Sequence, residues 1–248
     1  MGSFPKSGIL IEYFKQFYLN TQPLGANLTE NEWIEKLISL AKKLNVSLTK
    51  AQSTACLEHC KLILQWNNSH NLTTITEFDK MLKVHVLDSL AILPFIEKDF
   101  VIDIGTGAGF PGLILAIAKP QLKVVGVDSN RKKTLFLTQA AYQLKLNNFF
   151  PYHQRVEQTD LSFLTSKFGV TLTSGITYVA RAFAPTLHLL QLVNPFLDSQ
   201  SQLIIMKGQE PSDDIQDIDI KNNFNVTMHP LEIPELLQKR HLLLIRKV

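Results

Sequence analysis

Cysteine is nearly absent. Only Cys56 and Cys60 occur in 248 residues, one helical turn apart in an apolar stretch, where they read as two small buried thiols. His59 alone beside them does not complete a zinc site, so no metal is expected. So few cysteines argue against a disulfide framework and fit a reducing compartment. No run of about 18 apolar residues is present, so no membrane span is expected. The N-terminus lacks the basic-then-apolar pattern of a signal peptide, and Lys6 stands where a myristoylation signal carries Ser or Thr. A cytoplasmic protein is the resulting expectation. Charge of one sign is also scarce: 25 Lys and Arg face 22 Asp and Glu, a net +3. That balance admits a polyanionic partner through a local patch and excludes a generally basic binder. With 45% hydrophobic and 19% charged residues, the chain is an ordinary globular one, long enough for a large α/β domain with added structure.

What is present divides near residue 95. Residues 1–95 read as a helical extension packed on the core. Segments 30–44 and 49–66 repeat apolar residues at three- and four-residue spacing, 67–71 is a polar turn cluster, and a further helix over about 77–93 ends near Pro94. From 96 to 248 short β-rich runs alternate with helical stretches. The runs are 100–104, 123–127, 149–153, 176–180, 202–206, 225–229 and 241–246, with helices at about 112–118, 130–146 and 186–197. This alternation predicts a doubly wound α/β sheet of seven strands. The last two runs have no convincing helix between them and are expected to pair antiparallel at the edge, an arrangement closer to methyltransferases than to dehydrogenases.

The stretch VIDIGTGAGFPG, residues 101–112, sets four glycines at the end of the first strand, where such sheets bind ligands. Glycine this dense implies a close approach to the backbone. A dinucleotide fingerprint fits only in a late register, with Pro111 removing a donor where a pyrophosphate needs helix N–H groups. The unit Asp103-x-Gly105-x-Gly107-x-Gly109 suits S-adenosylmethionine better. That cofactor has no pyrophosphate, its ammonium and sulfonium favour a nearby carboxylate, and Pro111 suits the first turn of a following helix. A purely structural cap is the alternative for Asp103. Asp128, ending the second strand, is placed to accept both ribose hydroxyls, a feature that NAD and S-adenosylmethionine sites share. An NAD-dependent oxidoreductase and a non-catalytic RNA binder with a vestigial cofactor fold are the rival readings.

Two absences narrow the acceptor. The fourth strand ends in Ala180-Arg181-Ala182-Phe183, with no Asn-Pro-Pro-Tyr motif for exocyclic amines, and both cysteines lie far from a carbon-5 nucleophile's place. An acceptor with a ready lone pair, such as guanine N7, needs neither device. Arg181 and Phe183 are then candidates to grip phosphate and stack a base, and Arg131, Lys132 and Lys133 are candidate phosphate contacts. No general base is expected. His85, were it to titrate near pH 6.5, is the one residue that would spoil this.

Trp66-Asn67 with Asn71-Leu72-Thr73, His85-x-x-Asp88-Ser89, the glycine unit from Asp103 to Gly112, Asp128-Ser129, Arg155-Val156-Glu157, Arg181-Ala182-Phe183-Ala184, Lys207-Gly208 and Arg240-His241-Leu242 follow in order. This series, from about residue 50 to the C-terminus, closely resembles the ribosomal RNA small subunit methyltransferase G family, also called glucose-inhibited division protein B. The resemblance implies methylation of guanine N7 in small-subunit ribosomal RNA, free or in the assembling subunit, by a class I methyltransferase, here expected to be monomeric. It further implies cofactor contacts from Asp103, Gly105, Thr106, Gly107, Phe110, Asp128, Ser129, Val156, Glu157 and Arg181, with Val156 and Glu157 flanking the adenine. Asn71, His85, Asp88, Ser89 and Lys207 would lie at the mouth of the site or against RNA, and capping or packing of the helical extension is the alternative for the first four. Two departures stand out. Nothing in the first 30 residues suggests a role, and Gln154 replaces a small residue before Arg155.

Overall fold

All seven β-rich runs form strands of one sheet. The computed structural model describes residues 28–159, 164, 166–167, 175–182, 184–208 and 224–248; the first 27 residues and Phe183 lie outside them. The strands are β1 (Phe100–Ile104), β2 (Lys123–Asp128), β3 (Phe149–His153), β4 (Thr177–Arg181), β5 (Gln202–Lys207), β6 (Phe224–Leu231) and β7 (Arg240–Lys247). Their order is β3-β2-β1-β4-β5-β7-β6. The first five pair in parallel, while β7 runs antiparallel to both β5 and β6. β7 is therefore the reversed strand, inserted between β5 and the edge. This is the class I methyltransferase topology.

The helical half begins with two capping boxes. Thr29 Oγ1 accepts from the Glu32 N–H while Glu32 accepts from the Thr29 N–H, starting α1 (Glu30–Lys43); Thr49 and Gln52 do the same for α2 (Lys50–His70). The polar cluster at 67–71 does not form a turn as its composition predicts. The helix runs on through His70, and Asn71, at φ 47°, ends it in the left-handed region, which Asn tolerates better than other non-glycine residues. The segment expected at 77–93 is three pieces in unbroken succession: α3 (Phe78–Met81), a π turn (Leu82–Leu87) and α4 (Asp88–Ala91). Beyond the first strands come α5 (Gly112–Ala118), α6 (Arg131–Gln143) and α7 (Thr186–Val193).

Successive strand residues point to opposite faces, and both faces are buried. Val101, Val124, Val179 and Ile204 pack beneath α1–α6 in one cluster with Leu37, Leu57, Ile63, Leu90, Leu113 and Phe136. Their neighbours Ile102, Val125, Tyr178 and Leu203 pack on the other side with Leu189, Leu190 and Val193 of α7. Continuous burial on two faces is what a parallel sheet demands. The helical segment thus shares a single core with one face of the sheet.

Candidate active site

The parallel strands bring Ile104, Asp128, Arg181 and Lys207 to one edge of the sheet. Because β7 is reversed, it delivers its first residue, Arg240, to that same edge.

The loop after β1 is held almost entirely by the protein's own groups. The Gly105 and Thr106 N–H groups donate to Val127 O at 2.9 and 3.1 Å, and those of Gly109 and Phe110 donate to Thr106 O. Gly107 N–H donates to Asp128 Oδ2 at 2.9 Å, and Gly112 N–H to Asp103 Oδ2 at 2.8 Å. Three of the four glycines thereby separate into two kinds. A Cβ on Gly109 would stand 2.9 Å from Leu137 Cδ2, and one on Gly112 2.6 Å from Asp103 Oδ2, so these two are required by internal packing. A Cβ on Gly107 would meet nothing nearer than Gly105 O at 3.8 Å. Gly107 thus lies on the open side at φ 59°, and Gly105 shares its left-handed backbone at φ 67°.

Asp103 lies sealed beneath this loop, 0% exposed. Oδ2 caps the start of α5 through Gly112 N–H, as the structural alternative supposed, and Oδ1 has no hydrogen-bond partner among the described residues. Burial pushes its pKa up to about 6, against the pull of the Gly112 N–H and the charge of Arg181. The Thr106 side chain is also buried, against Gly126. Asp128 is half-buried; besides Gly107 it accepts from Asn130 N–H at 2.8 Å. A carboxylate offers about four acceptor positions, so two are left for hydroxyl donors.

Beside the loop, at the ends of β4 and β5, lies a cavity of about 350 Å³ lined by Val84, His85, Asp88, Arg181, Met206, Lys207 and Arg240 among others. Its charged wall is one buried carboxylate between two guanidiniums: Asp88 faces Arg181 Nη1 at 3.4 Å and Arg240 Nε at 3.3 Å. Arg181 Nη1 also lies 3.2 Å from Val84 O and 3.1 Å from His85 Nδ1. A π turn breaks the ordinary backbone ladder, and here it turns the Val84 carbonyl to Arg181. A guanidinium has no lone pair to offer, so His85 Nδ1 accepts and Nε2 carries the hydrogen toward Thr73 Oγ1, 3.1 Å away. His85 stacks on Phe110 at 4.7 Å, and Arg181 lies 5.3 Å from the same ring. Burial, followed by the charge of Arg181, lowers its pKa to about 3. The ordinary histidine titration near 6.5 does not apply to it.

Other residues fall elsewhere. Ser89, expected at the mouth, is fully buried and donates to His85 O one helical turn back, at 2.6 Å; its place on the inner face of α4 withdraws it from the rim. Asn71 is the exposed cap of α2, away from the cavity wall. Ser129, Arg131, Lys132 and Glu157 are exposed, Lys133 is half-buried, and Val156 is buried in a short 3-10 turn after β3. Gln154 N–H donates to Asp128 O at 3.2 Å. Among the described residues no cluster of ligating side chains can hold a metal, and no helix is long and apolar enough to cross a membrane.

Residues 52–243 match the family described as GidB, rRNA small subunit methyltransferase G. The chain belongs to the rRNA small subunit methyltransferase G family. Relatives so named include proteins of Acinetobacter baumannii, 35% identical over 87% of this chain and 99% of theirs, Pseudomonas entomophila, 35% over 90% and 99%, and Pseudomonas fluorescens, 35% over 86% and 94%. Against this family assignment, two residues of the site escaped the sequence reading. Arg240, in the sequence only part of the closing Arg240-His241-Leu242 motif, reaches the site through topology, since an antiparallel strand brings its start where parallel ones bring their ends. His59, a lone histidine in an apolar helical run, reads as packing until its ring is seen to touch the glycine loop.

Proposed function

We propose that this member of the rRNA small subunit methyltransferase G family transfers a methyl group from S-adenosylmethionine to N7 of a guanine in small-subunit ribosomal RNA. The observation that carries the reading is the juxtaposition of an open, positive-φ Gly107 tied to Asp128 with a cavity whose histidine, His85, has both ring nitrogens engaged and whose carboxylate, Asp88, faces two guanidiniums. The loop fits the cofactor: Gly107 is unobstructed, Asp128 keeps acceptor positions for the ribose, and the buried charge of Asp103 favours a cation nearby. When bound, the cofactor supplies an electrophilic methyl carbon on a sulfonium.

The protein's own part is to bind and orient. Guanine N7 carries an available lone pair, so no proton leaves before attack and positioning accounts for most of the rate. His85 cannot serve as a base, because one nitrogen faces a guanidinium and the other carries its hydrogen toward Thr73. Asp88 holds Arg181 and Arg240 as paired donors on the cavity wall, suited to phosphate or a base oxygen. Ser129, Val156 and Glu157 beyond β2 and β3 complete the adenosine side, and Arg131, Lys132 and Lys133 begin α6 beside it as phosphate contacts. The helices before residue 96 act as a cover on the sheet, in one chain that works as a monomer in the cytoplasm on ribosomal RNA or the assembling small subunit.

The test is methylation of small-subunit RNA with purified protein and radiolabelled cofactor, followed by borohydride and aniline cleavage, which cuts at 7-methylguanosine. Label confined to one cleavable guanine is expected. Label in an uncleavable position would overturn the N7 assignment.

A further inference from the structure

His59 stands on α2, outside the sheet, yet its ring lies against the glycine loop, in contact with Ala108 and Phe110 on either side of Gly109. Nε2 lies 2.8 Å from Ala108 O. The same nitrogen is 3.1 Å from where a Cβ on Gly109 would stand, and the ring meets Phe110 edge-on at 5.3 Å between centroids. A carbonyl only accepts, so Nε2 carries the hydrogen and donates it. Nδ1 then keeps its lone pair, buried and without a partner among the described residues. An apolar ring would fill this volume without stranding a polar atom. What the imidazole adds to the site is the bond to Ala108.

That bond falls at an informative place. From Gly105 to Leu113 each backbone N–H donates within the protein, except that of Ala108, which has no partner among the described residues; Pro111 has none to give. Gly107, just before it, takes a left-handed φ, and such turns leave backbone N–H groups convergent on an anion.

We infer that His59 is a positioning residue for the cofactor: by holding the Ala108 carbonyl from beneath, it sets the tip of the loop so that the Ala108 N–H is presented to the carboxylate of the cofactor's amino-acid portion. This rests on reading the loop as an S-adenosylmethionine site. It makes the helical segment a supporting part of the cofactor site as well as a cover for the sheet.

The experiment titrates two ligands by calorimetry into the full-length wild type, His59→Leu and His59→Gln. S-adenosylhomocysteine has the amino-acid carboxylate; 5′-methylthioadenosine shares the nucleoside and thioether but lacks it. His59→Leu is expected to bind S-adenosylhomocysteine at least fivefold more weakly and 5′-methylthioadenosine less than twofold more weakly. His59→Gln, whose side-chain N–H reaches the position of Nε2, should restore the first affinity to within twofold. Equal loss for both ligands, no loss for either, or no rescue by Gln would overturn the inference. A wild type that binds neither ligand would instead refute the cofactor reading beneath it. Should His59→Leu fail to fold, the amide resonance of Ala108 in the labelled wild type decides: a shift with S-adenosylhomocysteine and none with 5′-methylthioadenosine supports the inference, and no shift with either overturns it.

Discussion

Single residues in the glycine loop are distinguished by what a side chain would meet there. Gly109 sits at φ 97° with Leu137, Leu113 and His59 within about 3 Å of a Cβ. Gly109→Ala combines overpacking with backbone strain and should cost about 2–4 kcal/mol of stability. Gly107→Ala meets open space, so only the left-handed backbone costs it, about 1–2 kcal/mol, while the new methyl group enters the cofactor's side. Thermal melts with and without S-adenosylhomocysteine separate the two: Gly109→Ala should melt lower in both, and Gly107→Ala should lose most of the ligand-induced shift. Asp103 makes a pH-dependent contribution. Its folded pKa, about 6, exceeds the reference 3.8, so the folded state binds the proton more tightly. The destabilisation is absent below about pH 4, grows as pH rises toward 6 and is complete above it, at about 3 kcal/mol. Asp103→Asn keeps an acceptor for Gly112 and places a donor beside the Thr106 hydroxyl, itself without a partner among the described residues. It should therefore be more stable than wild type by about 1–3 kcal/mol at pH 7.5 and closer to it at pH 4.5, by urea unfolding. A variant less stable than wild type at pH 7.5 would contradict this account.

Among the elements, the π turn between α3 and α4 matters most to the site. It sets His85 on Phe110, turns Val84 O to Arg181 and leads directly to Asp88. Since His85 is held neutral, with its pKa lowered to about 3, single-turnover methyl transfer should be flat from pH 6.5 to 9 at saturating cofactor and RNA. His85→Gln should slow the reaction by loosening Arg181 and leave the profile flat. An acid limb falling tenfold per pH unit in the wild type, and lost in His85→Gln, would make His85 a base and sink direct attack.

For the whole molecule, the shared core decides whether the two halves are separable. Leu57, Cys60 and Ile63 of α2 lie in one buried cluster with Leu113, Phe136 and Leu137 beside the sheet, and Gln52 donates to the last carbonyls of α5, Ile117 O and Ala118 O, at 3.0 and 2.9 Å. The intact chain should therefore unfold in one cooperative transition by circular dichroism. A fragment of residues 96–248 keeps α5 and α6 but loses α1–α4, exposing the apolar side chains of this cluster that those helices cover, a liability of the kind that drives aggregation. It should show no cooperative melt and no binding of S-adenosylhomocysteine. A fragment that melts cooperatively would make residue 96 the start of an autonomous domain.

The strand runs, the alternation with helices and the reversed end of the sheet were legible in the chain, because burial on both faces of a parallel sheet writes continuous apolar runs that local reading detects. The glycine unit and Asp128 were legible because backbone conformation restricts which residues fit a strand end. The polar string at 67–71 misled, since composition marks a turn but the capped backbone of α2 ran through it to Asn71. The π turn was hidden, because its extra residue leaves the apolar spacing nearly unchanged. Only the tertiary structure decided that two of the glycines answer to the protein's own side chains, that Ser89 faces inward, that Arg240 reaches the cavity wall and that His59 touches the glycine loop. Each depends on contacts between residues far apart in the chain, and a residue's type alone does not say which distant partner the packing will bring to it.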